Sequence, residues 1–175
     1  GVMRQIDGAT PLAEHQREQF YGPQIVYLSD TGANFLWCEG FTRWEELRHV
    51  AQMARRSFVR ETVLHWTLEP DRDYHDELPQ LIELVRQGKT FVGLEASPLQ
   101  PKLEEYAREL VEECGVVSVL LADVSQGGEA GPSVWFQRKA EALLRCEVAM
   151  LGLGPHTTPE HVRWLRRMIT PETQP

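Results

Sequence analysis

The chain has 175 residues, a formal net charge of -8 and a hydrophobic share of 42%. That length fits one domain able to bury a core without staples, and the acidic balance disfavours broad binding to nucleic-acid backbones or anionic membranes. Cys38, Cys114 and Cys146 are widely spaced and form no CxxC pair, so neither a disulfide framework nor a zinc ribbon is indicated. No apolar run approaches the ~20 residues of a membrane span, and the expected setting is the reducing cytoplasm.

In chain order, residues 1–23 form a polar segment. They have room for one short helix over Leu12 to Phe20, with Thr10 as cap and Pro11 at the first position. A single α/β domain is expected over 24–169, with 170–175 as a tail. Ile25 to Leu28 and Asn34 to Cys38 are two β-rich runs around Asp30-Thr31-Gly32-Ala33. Gly32 can supply the positive φ of a tight turn, so a β-hairpin is expected there. Thr42 and Glu45 form a capping box that opens a helix through Trp44, Leu47, Ala51 and Ala54.

Thr62 to Leu68 then reads as a strand. Leu78, Leu81, Ile82 and Val85 follow the i, i+3, i+4, i+7 template, and Gly88 stops that helix. Thr90 to Glu95 is the next strand. Ser97 caps a helix carrying Leu103, Tyr106, Ala107, Leu110 and Val111, ended by Gly115. Val116 to Asp123 is a continuous apolar strand. Ser133 opens a helix through Phe136, Ala140, Leu143 and Leu144. Glu147 to Gly154 is the last strand, and Pro159 to Ile169 the last helix.

This alternation predicts a mainly parallel sheet of about five strands, built by right-handed βαβ crossovers. Nearly continuous apolar strands suggest helices on both faces, with the N-terminal hairpin at the edge. The runs TFVGL, VVSVLL and VAMLGL are expected as buried interior strands.

Asp30-Thr31-Gly32-Ala33 is also the tetrapeptide that holds the catalytic carboxylate of retroviral-type aspartic proteases. That chemistry needs two aspartates sharing a proton between two all-β lobes. Here the motif occurs once and the chain turns helical at Thr42, so Asp30 is expected exposed at a turn. His65-Trp66-Thr67 and His156-Thr157-Thr158 resemble the paired His-x-Thr motifs of two-histidine phosphoesterases, whose imidazoles act as acid and base. His156, however, follows its strand, where Thr157 to Glu160 read as a helix start. No P-loop, GxGxxG or GxSxG pattern is present. Cys38 lies mid-strand, without the helix start that would activate a thiol, and reads as packing.

The remaining signal is positional, because open α/β sheets bind ligands beyond the carboxyl ends of their strands. Glu69 and Asp71, Glu95 and Ser97, Asp123 with Ser125, Gly127 and Gly128, and Gly154 with His156 all fall there. Glu95 and Asp123 are the candidate ligands for a hard cation such as Mg²⁺. His156 is the candidate acid or base, and Ser125, Gly127 and Gly128 the candidate cofactor-binding residues. Two readings follow. One is a non-catalytic interaction or regulatory domain within a larger assembly, with a protein partner and a possible oligomer. It rests on the acidic surface, five tryptophans and the lack of a complete catalytic motif. The other is a small metal-assisted hydrolase or transferase acting on a phosphorylated ligand at the carboxyl edge of the sheet.

Overall fold

The computed structural model describes residues 13–57, 61–88, 90–123 and 131–170. Five strands, β1 (Phe35–Phe41), β2 (Glu61–Leu68), β3 (Thr90–Ala96), β4 (Val117–Leu121) and β5 (Met150–Leu153), alternate with six helices. These are α1 (Glu14–Asp30), α2 (Trp44–Arg56), α3 (Leu78–Arg86), α4 (Leu103–Cys114), α5 (Val134–Arg145) and α6 (Pro159–Ile169). The strands lie side by side in sequence order, and every pair is parallel. The alternating α/β architecture with a five-stranded parallel sheet is thus the one expected.

The strand order decides where the helices go. In a doubly wound sheet the order reverses at a switch point, which sends helices to both faces. Here it never reverses, so right-handed crossovers put successive helices on one face. Neighbour contacts follow that rule. Tyr21 of α1 reaches Glu46 of α2, and Arg55 of α2 donates to the Leu84 carbonyl of α3 at 2.5 Å. Arg86 of α3 pairs with Glu113 of α4, and Lys139 of α5 with Glu104 of α4 at 2.5 Å. Phe136 of α5 meets the rings of His161 and Trp164 on α6. Among the described residues the six helices therefore make one continuous layer, where two layers were expected.

Side-chain alternation splits each strand between this layer and the opposite face. Leu36, Cys38, Leu64, Trp66, Val92, Leu94, Val119 and Leu121 point into the helix-covered core, beside Tyr21, Leu47, Leu81, Tyr106 and Phe136. Phe35, Trp37, Val63, Phe91, Ser118 and Met150 point the other way, and among the described residues no helix packs over them. Burial raises the Cys38 thiol to about 12, which fits a packing role.

Two further expectations are corrected. Ile25 to Leu28 belongs to α1, with Pro23 inside the helix, so no hairpin forms with β1. Tyr21 and Ile25 are buried and Leu28 packs on the core, a 3.6-residue stripe that overrides local β preference. Gly32 does take a positive φ of 78°, but just past the helix end, where glycine relieves the left-handed cap. Asp30 is exposed, as expected, at a helix terminus instead of a hairpin tip. β5 was expected as an interior strand and is an edge strand, with Met150 half exposed.

Candidate functional site

The pairing register sorts the open face into rows. Trp37, Val63 and Phe91 are level on β1, β2 and β3. One row nearer the carboxyl ends, His65, Gly93, Ser118 and Met150 are level. One row further lie Thr67, Glu95, Leu120 and Gly152. The face therefore changes character along the strands, apolar at the amino ends and polar toward the carboxyl ends.

At the amino end, Phe35, Trp37, Val63, Phe91, Val116 and Met150 line a depression of about 270 Å³. Phe35 is 51% exposed and Met150 50%. In the middle row His65 is fully buried. Its ring stacks on Trp37 at 4.5 Å, and Nε2 lies 3.0 Å from Ser118 Oγ. Burial pushes the imidazole down to about 4, so it is neutral at physiological pH. The space for this pair comes from Gly93, where a Cβ would sit 2.5–2.6 Å from atoms of His65 and Ser118. Gly93→Ala should therefore overpack the row and cost about 1–3 kcal/mol. Urea denaturation checks this, and a neutral result would mean that the His65–Ser118 pair shifts freely.

At the carboxyl end, Glu95 Oε2 accepts from Thr67 Oγ1 at 2.8 Å and from the Gly40 backbone N–H at 3.1 Å. The second bond spans β2. It is possible because β1 bulges between Cys38 and Phe41, with Gly40 at φ 81°. Bulges of this kind re-aim backbone groups beside functional edges.

Asp123 stands elsewhere. Strand alternation puts it on the helix side, opposite Glu95. Its Oδ2 lies 2.6 Å from His161 Nε2 on α6, and Oδ1 accepts from Ser133 Oγ at 2.5 Å, with the Ser133 N–H on Oδ2 at 2.9 Å. His161 Nδ1 accepts from the Thr158 backbone N–H at 3.1 Å, which leaves the proton on Nε2 to be donated to Asp123. The carboxylate thus binds the end of β4 to the first turns of α5 and α6, inside the core. His161 carried no sequence signal, because its partner lies 38 residues away.

The fold therefore does not bring Glu95 and Asp123 together, although both follow carboxyl strand ends. His156 is exposed on the loop after β5, at φ 62°. It does not face His65 across paired strands, since β2 and β5 are not neighbours, and the phosphoesterase geometry is absent. Ser125, Gly127 and Gly128 lie outside the described residues. Among the described residues no group of three His, Cys, Asp or Glu side chains could hold a metal ion. Millimolar Mg²⁺, Mn²⁺ or Ca²⁺ is expected to leave the melting temperature unchanged in a thermal-shift assay. A rise that disappears in Glu95→Gln would restore a metal role for that carboxylate.

Consecutive parallel strands with one helix layer and an open second surface match the connectivity of part of a (β/α)-barrel. In line with this, the chain is similar to a solved structure of the homocysteine methyltransferase MmuM from Escherichia coli in its metallated form, with a TM-score of 0.69 and 16% identity. The match takes in 92% of this chain and 54% of that one, so the chain spans about half the length of the structure it resembles. At that identity the likeness is one of fold. No protein-family model and no curated protein matches the sequence. No helix among the described residues is long and apolar enough to cross a membrane.

Proposed function

We propose that this chain is an interaction domain, one wall of a larger assembly, and that the open face of its sheet is the docking surface. The observation that carries the reading is the apolar character of that face where no helix covers it. Contiguous exposed apolar surface of this kind marks a site of association, and Trp37 and Phe35 are aromatic types enriched in such contacts. The acidic remainder of the surface is compatible with a docking patch that contributes little charge of its own.

A docking surface has no structural duty in the isolated chain. Replacing Phe35 and Met150 together with serine should therefore leave the urea midpoint within about 0.5 kcal/mol of the parent. The same replacement should abolish binding of an apolar reporter dye. A loss of several kcal/mol would instead make the face part of the folded core and remove the proposal.

A second reading is favoured by one observation, the Glu95–Thr67–Gly40 cluster at the carboxyl edge, where barrel-type folds place their chemistry. On this reading the chain supplies part of a transferase or hydrolase site, with Glu95 as a carboxylate held ready by Thr67 and Gly40. Its experiment is ligand-dependent stabilisation of the parent chain that is lost in Glu95→Gln.

A further inference from the structure

We infer that the depression at the amino end of the open face is a binding site for a small uncharged aromatic molecule bearing one O–H or N–H donor, and that Ser118 receives that donor. The inference goes beyond the docking reading above and rests on it in one respect, that the face is open in this chain.

The size and lining of the depression set the body of the ligand. A dry cavity of about 150 Å³ lined by aliphatic and aromatic side chains holds one benzene ring. At about 270 Å³ this depression has room for two fused rings. Trp37, Phe91 and Phe35 offer aromatic surface for edge or offset stacking, and Met150 a polarisable thioether. Among the described lining residues Glu61 alone carries charge, and it is exposed. An anion would meet that carboxylate and find no cation to pair with. A cation would leave water for an apolar wall, and a solvated carboxylate repays little of that cost.

Ser118 sets the head of the ligand. It is the one uncharged polar side chain among the described lining residues. Its Oγ lies 3.0 Å from His65 Nε2 and 3.5 Å from the Val92 carbonyl oxygen. A hydroxyl has one proton to donate and two lone pairs that accept. If neutral His65 carries its proton on Nε2, that proton takes one lone pair and the hydroxyl donates to Val92. If the proton sits on Nδ1, the hydroxyl donates to Nε2 and both lone pairs stay open. In either tautomer Ser118 keeps a free lone pair and has its own proton already placed. A ligand that donates is therefore satisfied, whereas one that only accepts must break an existing bond. The pair itself adds little stability, since exchanging both partners of a buried hydrogen bond for apolar groups of the same shape is nearly neutral. What it adds to an apolar lining is one hydrogen-bonding position.

The test is an NMR titration of the 175-residue chain at neutral pH with 2-naphthol, 2-methoxynaphthalene and 2-naphthoate, with an apolar reporter dye alongside. 2-Naphthol is expected to bind saturably and to move the Met150 methyl and Ser118 amide signals. Its methyl ether keeps the rings and loses the donor, so it should bind about threefold to tenfold more weakly. Naphthoate should not bind. Ser118→Ala should remove the difference between naphthol and its ether. Equal affinity of those two for the parent chain would overturn the inference, as would shifts confined to other parts of the chain. Continued binding of the dye would then leave the docking reading standing. If neither the naphthalenes nor the dye bind, the face is closed and both readings fall. Should Ser118→Ala not fold, the ratio measured on the parent decides by itself.

Discussion

Replacing Asp123 with alanine should cost the folded chain roughly 3–5 kcal/mol, since several hydrogen bonds to a buried carboxylate, each worth about 1.5–3 kcal/mol, are lost together. Both side chains of the Asp123–His161 pair are fully buried. Alanine would leave His161 Nε2 without its acceptor and would also strip Ser133 of the two bonds it donates. Three elements loosen at once: the end of β4, the first turn of α5 and the first turn of α6. For a chain of this size each kcal/mol moves the melting temperature by about 2–4 °C, so a fall on the order of 10 °C is expected. Thr158→Ala, which removes only the cap at the far side of His161, should cost about 1 kcal/mol. Equal losses from the two variants would show that the network is not centred on the carboxylate.

Acid should destabilise the protein through His65. Its folded-state pKa is about 4 against an ordinary 6.5, because burial under Trp37 and between β1 and β4 disfavours the charged ring. Between those values the unfolded chain binds a proton that the folded chain refuses. The contribution is thus fully present above about pH 6.5 and is lost as pH falls toward 4. The shift corresponds to on the order of 3 kcal/mol. His65→Gln removes the titrating group, so the difference between parent and variant stability should slope across that window and be flat above it. Parallel curves would mean that His65 takes up its proton without strain, as an exposed ring would.

Much of the fold was legible in the sequence for simple reasons. β3 and β4 are apolar runs that follow glycine helix stops, and the helical stripes through Leu78 and Leu103 permit little else. The side of the sheet on which helices fall was not legible. Val63, Phe91 and Trp37 are as apolar as Leu64, Val92 and Cys38, so alternation carried no contrast between a covered face and an open one. The same ambiguity made β5 read as interior, since Met150 and Leu151 look alike until the strand order is known. The second half of α1 was missed because Pro23 and the pair Ile25-Val26 suggest a break and a strand, while the burying stripe is spread over Tyr21, Ile25 and Leu28.

The site was legible only in part. Strand ends were located correctly, but the rule that groups them says nothing about which way each side chain turns. Glu95 falls on the open face and Asp123, beyond β4, on the helix side. His161 and Gly93 were invisible for a related reason. Each matters only through a contact made across the fold, to Asp123 in one case and to His65 and Ser118 in the other.

The central claim, that the open face is a docking surface, is tested most directly by hydroxyl-radical footprinting of the isolated chain read by mass spectrometry. Phe35 and Met150 should be oxidised at rates comparable to the exposed Tyr27 and Trp135, and far faster than the buried Tyr106 and Phe136. If Phe35 and Met150 are instead protected like Tyr106 and Phe136, the face is already covered within the chain, and the docking account fails.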